Sequence, residues 1–401
     1  MAPRILIYTH AFAPKVGGVE TIVMSLANGL ARLDRASQVE VTLATATPRG
    51  DFNDGSLPFR VVRRPGLLEL VRLIRTADVV HIAGPAFSPL LLGLLIRKPV
   101  VVEHHGFQTI CPNGQLLHEP SQTFCPGHFM AGRHRECLRC NVQVGLLGSV
   151  KLWFLTFPRR WLCGRVGANV TPTTWLAGLL GLPRMTTIYH GLAVDSNSKS
   201  RLASSPIGVA FIGRLVATKG VDVLLRAMSR LKTKVPFTLK IIGDGPERSR
   251  LEAQAQDLGL AHWVQFFGYQ SDAELSETLS GVRAIVMPSL AGEVFGMVAA
   301  ENMMRGIMPI VSAGGALAEV VGDAGLTFPA GDDEALAACL VRILDEPGLP
   351  EVLGERARRR AQQLFSEERM VAQHLSTYFD LVSDQTASGA PADSAKAECR
   401  F

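Results

Sequence analysis

VMPSLAGEVFGMVAAENMMRGIMPIV, residues 286–311, holds a strand end, a short loop, a helix and the strand that follows. Glu293 and Glu301 are separated by seven residues, with Phe295-Gly296 just after the first acid. A helix beginning near Phe295 points its unbonded amide groups and the positive end of its dipole back at the loop, which makes an anion site. Glu293 then sits at the mouth of that site and Glu301 lies about two turns along the helix. Two acids alone also fit an amphipathic helix that shows both to solvent. Pro288-Ser289 before the helix and Gly314-Gly315 after it set this stretch apart.

The remaining chain bounds the reading. Its 401 residues suffice for two domains, each with its own core. A hydrophobic content of 47% and a charged content of 19% describe a soluble, well-packed protein. The net charge of +5 is too small to call for nucleic acid, and no aromatic RNA-binding motif is present. Residues 1–15 do not read as a signal peptide, and the apolar run Pro89–Ile96 is too short to cross a bilayer. A cytoplasmic chain is expected. There, the clustered Cys111, Cys125, Cys137 and Cys140 point to metal more than to disulfides.

In the first half, short apolar strands at 4–8, 39–44, 59–62, 78–82 and 99–102 alternate with helical stretches, which predicts a parallel doubly wound sheet. Such sheets bind ligands at the carboxyl ends of their strands. Gly17-Gly18-Val19-Glu20 opens a helix after the first strand, where backbone can approach a phosphate or simply turn tightly. His104-His105-Gly106 follows another strand. The cysteine-rich stretch 111–140 contains one C-x2-C half-site, Cys137 to Cys140. A structural zinc, two disulfides and unligated thiols are three readings of it. Residues 150–165 interleave Trp153, Phe154, Phe157 and Trp161 with Lys151, Arg159, Arg160 and Arg165. This helix, expected to be interrupted at Pro158, can lie on an anionic membrane or pack into the domain. The last strand of this half is expected at 187–191.

The polar stretch Asp195–Pro206 is the best domain boundary. A strand restarts at 208–212, followed by Gly213-Arg214-Leu215 and Lys219-Gly220. Arg214 as a fork and Lys219 as a point charge can converge on one phosphate group. Gly243-Asp244-Gly245-Pro246 ends the next strand. Arg248 occupies the place of a third glycine, so this is no dinucleotide fingerprint. A helix is expected from about Pro350 to Leu381, and disorder from Ser383 to Phe401.

The E-x7-E stretch, the Arg214/Lys219 pair, the glycine-proline turn and the GGxE loop together resemble the retaining glycosyltransferases of family 4. The resemblance covers nearly the whole chain and is strongest from Gly213 to Gly331. It implies the GT-B fold, an α/β architecture of two Rossmann-like doubly wound domains facing an interdomain cleft. The expected divisions are an N-terminal acceptor-side domain (1–190) with the insertion 111–140, a linker (191–206), a C-terminal nucleotide-sugar domain (207–365), a helix crossing back (366–382) and a tail (383–401). His190-Gly191 stands where the family commonly has Asn-Gly. The resemblance implies catalytic roles for His105, Arg214, Lys219 and Glu293, with His104 the alternative to His105. It implies donor contacts at Gly17, Gly18, Gly243, Gly245, Tyr269, Phe295, Gly296, Met297 and Glu301. Glu293 would bind the sugar's hydroxyls and Glu301 the ribose, with a diphosphate between them at the helix amides.

No D-x-D segment is found for a divalent ion, so no catalytic cofactor is expected. The implied partners are a UDP- or GDP-sugar and a glycan or lipid-linked acceptor, with peripheral contact at the inner membrane face. A nucleotide-sugar epimerase of the same architecture, and a non-catalytic scaffold built on the cysteine module, are the other readings.

Overall fold

A computed structural model describes residues 3–15, 17–37, 39–121, 123–141, 144–192, 207–231 and 237–388. Two separate parallel sheets organise it. The first joins β1 (Arg4–Thr9), β2 (Glu40–Thr45), β3 (Arg60–Arg63), β4 (Val79–Ala83), β5 (Val100–Glu103), β8 (Ala168–Thr171) and β9 (Met185–Thr187) in the order β3-β2-β1-β4-β5-β8-β9. A small antiparallel pair, β6 (Leu117–His118) and β7 (Thr123–Phe124), lies in the cysteine-rich insertion. The second sheet joins β10 (Ile207–Ile212), β11 (Phe237–Ile242), β12 (Val264–Gly268), β13 (Val282–Met287), β14 (Met308–Ser312) and β15 (Leu326–Phe328) in the order β12-β11-β10-β13-β14-β15. In both sheets the order reverses beside the first strand, which opens a crevice at its carboxyl end.

Burial on both faces explains why these strands read as unbroken apolar runs. Every residue of β4 and β5 is buried. On one face of the first sheet, Leu70, Leu73, Leu90, Leu162 and Leu176 pack from helices 67–76, 87–95, 145–163 and 174–180. On the other, Ile22, Leu26 and Leu30 of helix 18–37 pack beside Met370, Val371 and Tyr378. These last three belong to the C-terminal helix Glu367–Ser388, which crosses back onto the N-terminal domain.

Several expectations need correction. The helix expected at 350–381 is two helices, Leu349–Leu364 and Glu367–Ser388. The chain breaks where Phe365 turns inward to full burial, and Ser366 Oγ then accepts from Arg369 N at 3.2 Å to start the second helix. That helix continues past Ser383 to Ser388, and residues 389–401 lie outside the described residues. Most of the proposed linker, 193–206, also lies outside them. Pro158 does not interrupt its helix, which runs from Gly145 to Cys163. Packing of Thr156, Leu162 and Cys163 on either side of the proline holds the turn together. The strand expected at 187–191 is β9, ending at Thr187, because Tyr189 and His190 turn into the interface between domains.

Gly191 marks the crossing point. Leu192 N donates to Phe365 O at 2.8 Å, and a Cβ on Gly191 would lie 2.7 Å from Glu367 Cα and 2.9 Å from Ser366 O. Neither backbone can give way cheaply. Gly191→Ala is therefore expected to lower the unfolding free energy by about 1–3 kcal/mol. Amide exchange of residues 367–388 should also accelerate; exchange unchanged from wild type would contradict this role.

Candidate functional site

The loops after β10 and β13 meet at the crevice of the second sheet. Gly220 has φ 65°, and a Cβ there would stand 2.0 Å from Pro288 O. Leu290 N donates to Thr218 O at 2.7 Å. This close backbone approach sets Lys219 Nζ against Glu293 Oε1 in a short ion pair, joined by Ser289 Oγ donating to the same oxygen at 3.2 Å. Ser289 is itself held where its carbonyl accepts from Ser312 Oγ at 2.7 Å. Arg214, next to Gly213 on the first loop, is exposed and has no ion-pair partner among the described residues.

Gly243 and Gly245 have a packing reason of their own. Added Cβ atoms would lie 2.0 Å from Gly213 O and 2.3 Å from Leu215 O, so both residues let the turn after β11 support the Arg214 loop. Gly243 N in turn donates to Gly268 O at 2.7 Å, which places Tyr269, an exposed side chain, at the same end of the sheet. The helix begins at Met297, with Gly296 as its cap at φ 98°, slightly later than Phe295. Phe295 is not a donor-facing side chain: its ring is fully buried, 5.0 Å from His190 and 5.2 Å from Phe365 between centroids. Further along, burial pushes the Glu301 carboxyl up, with Arg305 opposing and Asp272 adding.

Across the cleft, the Gly17-Gly18 loop faces this helix start, and a Cβ on Gly18 would lie 3.8 Å from Met297 Cγ. The two glycine-marked segments, far apart in sequence, are thus brought together. Of the adjacent histidines, His104 turns into the core, its Nε2 2.9 Å from Asn169 Oδ1. His105 instead lines a cavity of about 380 Å³ with Tyr8, His10, Gln108 and Arg159. That cavity lies at the carboxyl ends of β1 and β4, the crevice of the first sheet. Arg159 is fixed there by bonds to Pro85 O and Gln108 O at 3.1 and 3.4 Å. The sequence left the helix of Arg159 either on a membrane or packed into the domain and did not single out His10; the one signal for His10 was a polar residue just after the first strand.

Behind His105 is a cluster the sequence did not announce. Glu103 is fully buried, with His81 Nε2 at 3.1 Å, His105 Nε2 and His190 Nδ1 at 3.6 Å, and His374 Nε2 at 3.8 Å. Burial works against the Glu103 charge, but His105, His81 and His374 outweigh it and hold the carboxyl well below its usual range. Burial also keeps Tyr378 protonated, so its hydroxyl donates to His81 Nδ1 at 2.9 Å and leaves Nε2–H for Glu103. Burial pushes His104 and His374 down to about 4 and His190 down to about 3.

The two domains are also latched beside the cleft. Glu319 of the C-terminal domain accepts from Thr174 N at 2.8 Å, Trp175 N at 2.7 Å and Tyr189 Oη at 3.0 Å. It caps an N-domain helix with a carboxylate from the other domain. Thr173 Oγ1 donates to Val294 O at 3.0 Å, next to Glu293.

The buried histidines make stability pH-dependent. They bind protons when unfolded below about pH 6.5 but stay neutral in the fold until about pH 4 or lower. Stability therefore falls as pH drops through this window, by on the order of 1.4 kcal/mol per pH unit for each such histidine. Glu103, whose folded value is depressed, loses its contribution only at still lower pH. Urea unfolding at pH 7, 6 and 5 should show the decline, with a shallower slope for His190→Asn; a flat profile would refute it.

Comparison with known proteins agrees with this geometry. Residues 195–360 match the family model "Glycosyl transferases group 1". The chain is 30% identical to a phosphatidyl-myo-inositol mannosyltransferase of Mycobacterium leprae, over 84% of this chain and 86% of that protein. It is 30% identical to the lipopolysaccharide core biosynthesis glycosyltransferase LpsE of Rhizobium meliloti, over 92% and 97%. Three further curated relatives are matched over only 42% to 44% of their own length. Among solved structures, sucrose-phosphate synthase of Thermosynechococcus elongatus superposes with a TM-score of 0.71 at 20% identity, covering 95% of this chain and 100% of the other. HepE of Anabaena, in complex with UDP and glucose, gives 0.68 at 17% identity, covering 94% and 100%. With two crevice-bearing sheets facing one cleft, and relatives matched along most of its length, the chain belongs to the group 1 glycosyltransferases, family 4, with the GT-B architecture.

Proposed function

We propose that this protein transfers a sugar from a nucleotide-sugar donor to a hydroxyl of a glycan or lipid-linked acceptor, with retention at the anomeric carbon. The observation that carries this reading is the Lys219–Glu293 pair beside the Met297 helix start, with an uncommitted Arg214 on the adjoining loop. As the bond from the anomeric carbon to the diphosphate breaks, negative charge grows on the leaving oxygen. Arg214, Lys219 and the free helix amides would meet it at the loop crossing. Donor binding would exchange the ion pair: Lys219 turns to the diphosphate and Glu293 to the sugar's hydroxyls. Glu301 takes the ribose, and His105 steadies the oxocarbenium-like sugar from the opposite domain. Closure excludes water and protects the donor from hydrolysis. A relative from Mycolicibacterium smegmatis is GDP-mannose-dependent and HepE was solved with UDP, so both bases enter the test.

The acceptor side supports a lipid-linked or envelope glycan. No helix among the described residues is long and apolar enough to cross a membrane. Helix Gly145–Cys163 nevertheless exposes Leu147 (87%), Val150, Phe154 (61%), Phe157 and Trp161 at helical spacing along one face. Trp153, by contrast, packs in against His134 and Phe157. Lys151 flanks the stripe, and Arg165 stacks on Trp161 at 3.4 Å. This face suits an anionic lipid surface at the inner side of the membrane.

Calorimetric titration with UDP, GDP and ADP in EDTA should show selective binding of one, and Lys219→Ala should lower turnover by about 10²–10³ with little change in unfolding midpoint. Binding of none, or unchanged turnover in the variant, would overturn the assignment. Leu147→Glu combined with Phe154→Glu should abolish co-sedimentation with phosphatidylglycerol vesicles while nucleotide binding is retained; full co-sedimentation would exclude this face.

A further inference from the structure

We propose that the insertion between residues 107 and 141 binds one structural zinc ion through Cys111, Cys125, Cys137 and Cys140. Phe107, Ile110 and Leu116 anchor the segment on the core of the first domain, but it has little regular structure. Its regular structure, among the described residues, is the two-residue pairing of β6 with β7 and the six-residue helix His134–Arg139. Yet four cysteines, from a loop, the residue after β7, a helix and that helix's C-cap, converge with exposures of only 4% to 6%. None forms a disulfide. Together they line one small space of about 10 Å³, room for a single water-sized or smaller species.

The chemistry of the quartet fits a soft divalent ion better than a hydrophobic core. Neutral sulfur packs like a small apolar group, and three chain segments need not bring four of them to one point for that purpose. Burial first, and then their proximity, makes the Cys111, Cys137 and Cys140 thiols harder to ionise. Burial, and then the neighbouring cysteines, push Cys137 up to about 12; burial is the main cause for Cys140, at about 11. A bound cation reverses this: Zn²⁺ takes four thiolates, and four protons leave to solvent with no change in oxidation state.

The sulfurs ring the space loosely. Among the described residues, the groups with three ligand atoms within 4.8 Å of one another are His81–Glu103–His374 and Glu103–His105–His190. Contraction onto the ion is therefore part of the proposal, and the short turns that carry the cysteines can make it.

The position gives the zinc a use. The insertion begins directly after His105, and Gln108 at its start shares the cavity with His105 and Arg159. At its far side the Gln115 carbonyl lies 3.8 Å from a Cβ on Gly292, next to Glu293. Zinc would brace a wall that touches both halves of the cleft. The full-length protein, purified without chelator, should carry one zinc per chain. Replacement by Co²⁺ should give thiolate-to-cobalt charge-transfer bands, and amide exchange across 107–141 should slow with metal bound. Cys137→Ser and Cys140→Ser should each lose the bands; should either variant fail to fold, the wild-type cobalt spectrum still decides. Three results would overturn the proposal: no zinc with four thiols titrating freely, two disulfides by mass spectrometry, or cobalt bound without thiolate bands, which would move it to the Glu103–His105–His190 group. None of these outcomes bears on nucleotide binding, so they are separable from failure of the transferase reading.

Discussion

A carboxylate with no access to water determines where the parts of this molecule meet. Removing an ion from water costs several kcal/mol unless partners replace the solvent. Among the described residues Glu103 has one hydrogen-bonded partner, His81 from the neighbouring strand, and around it, at 3.6 to 3.8 Å, stand His105 from its own loop, His190 from the chain leaving the N-terminal domain, and His374 from the returning helix. His190 then packs on Phe295 of the other domain. One buried charge thus links the sheet of the first domain, the crossing point and the helix that precedes the proposed donor site. A displacement of any one partner would leave that charge undercompensated.

Around this anchor the cleft is built by two different devices. On the C-terminal side, glycines let loops touch through their backbones, Gly220 against Pro288 and Gly243 against Gly213, which sets Lys219 against Glu293 in an ion pair and leaves Arg214 exposed beside them. On the N-terminal side, His105 and Arg159 are held by side-chain and backbone contacts around a cavity. The first arrangement gathers charge at a loop crossing; the second encloses a shaped recess. Glu319 spans the two and keeps them facing one another.

Local features were legible in the chain. The E-x7-E spacing, the Arg214/Lys219 loop and the alternation of strand and helix depend on residues within a turn or two of each other, and the fold and cleft followed from them. A histidine after the fifth strand was legible too, but not which of His104 and His105 faces the cavity. The Glu103 cluster was not, because its members come from strands, a crossover and the C-terminal helix. Nor does a motif position say whether a ring or a backbone amide faces a ligand: the Phe295 ring is buried against His190 and Phe365. Pro158 misled because tertiary packing outweighed its local helix-breaking effect.

Two doubly wound domains, the parallel run of their strands and a helix start near residue 297 could be read from the chain alone. These follow from periodicity, glycine placement and backbone geometry, all of which act over a few residues. That His105 faces the cavity, that Phe295 and His190 seal the crossing point, and that the four clustered cysteines share one space emerged only from packing. Those outcomes rest on burial and charge compensation between segments up to hundreds of residues apart, and such terms exist only once the chain has closed on itself.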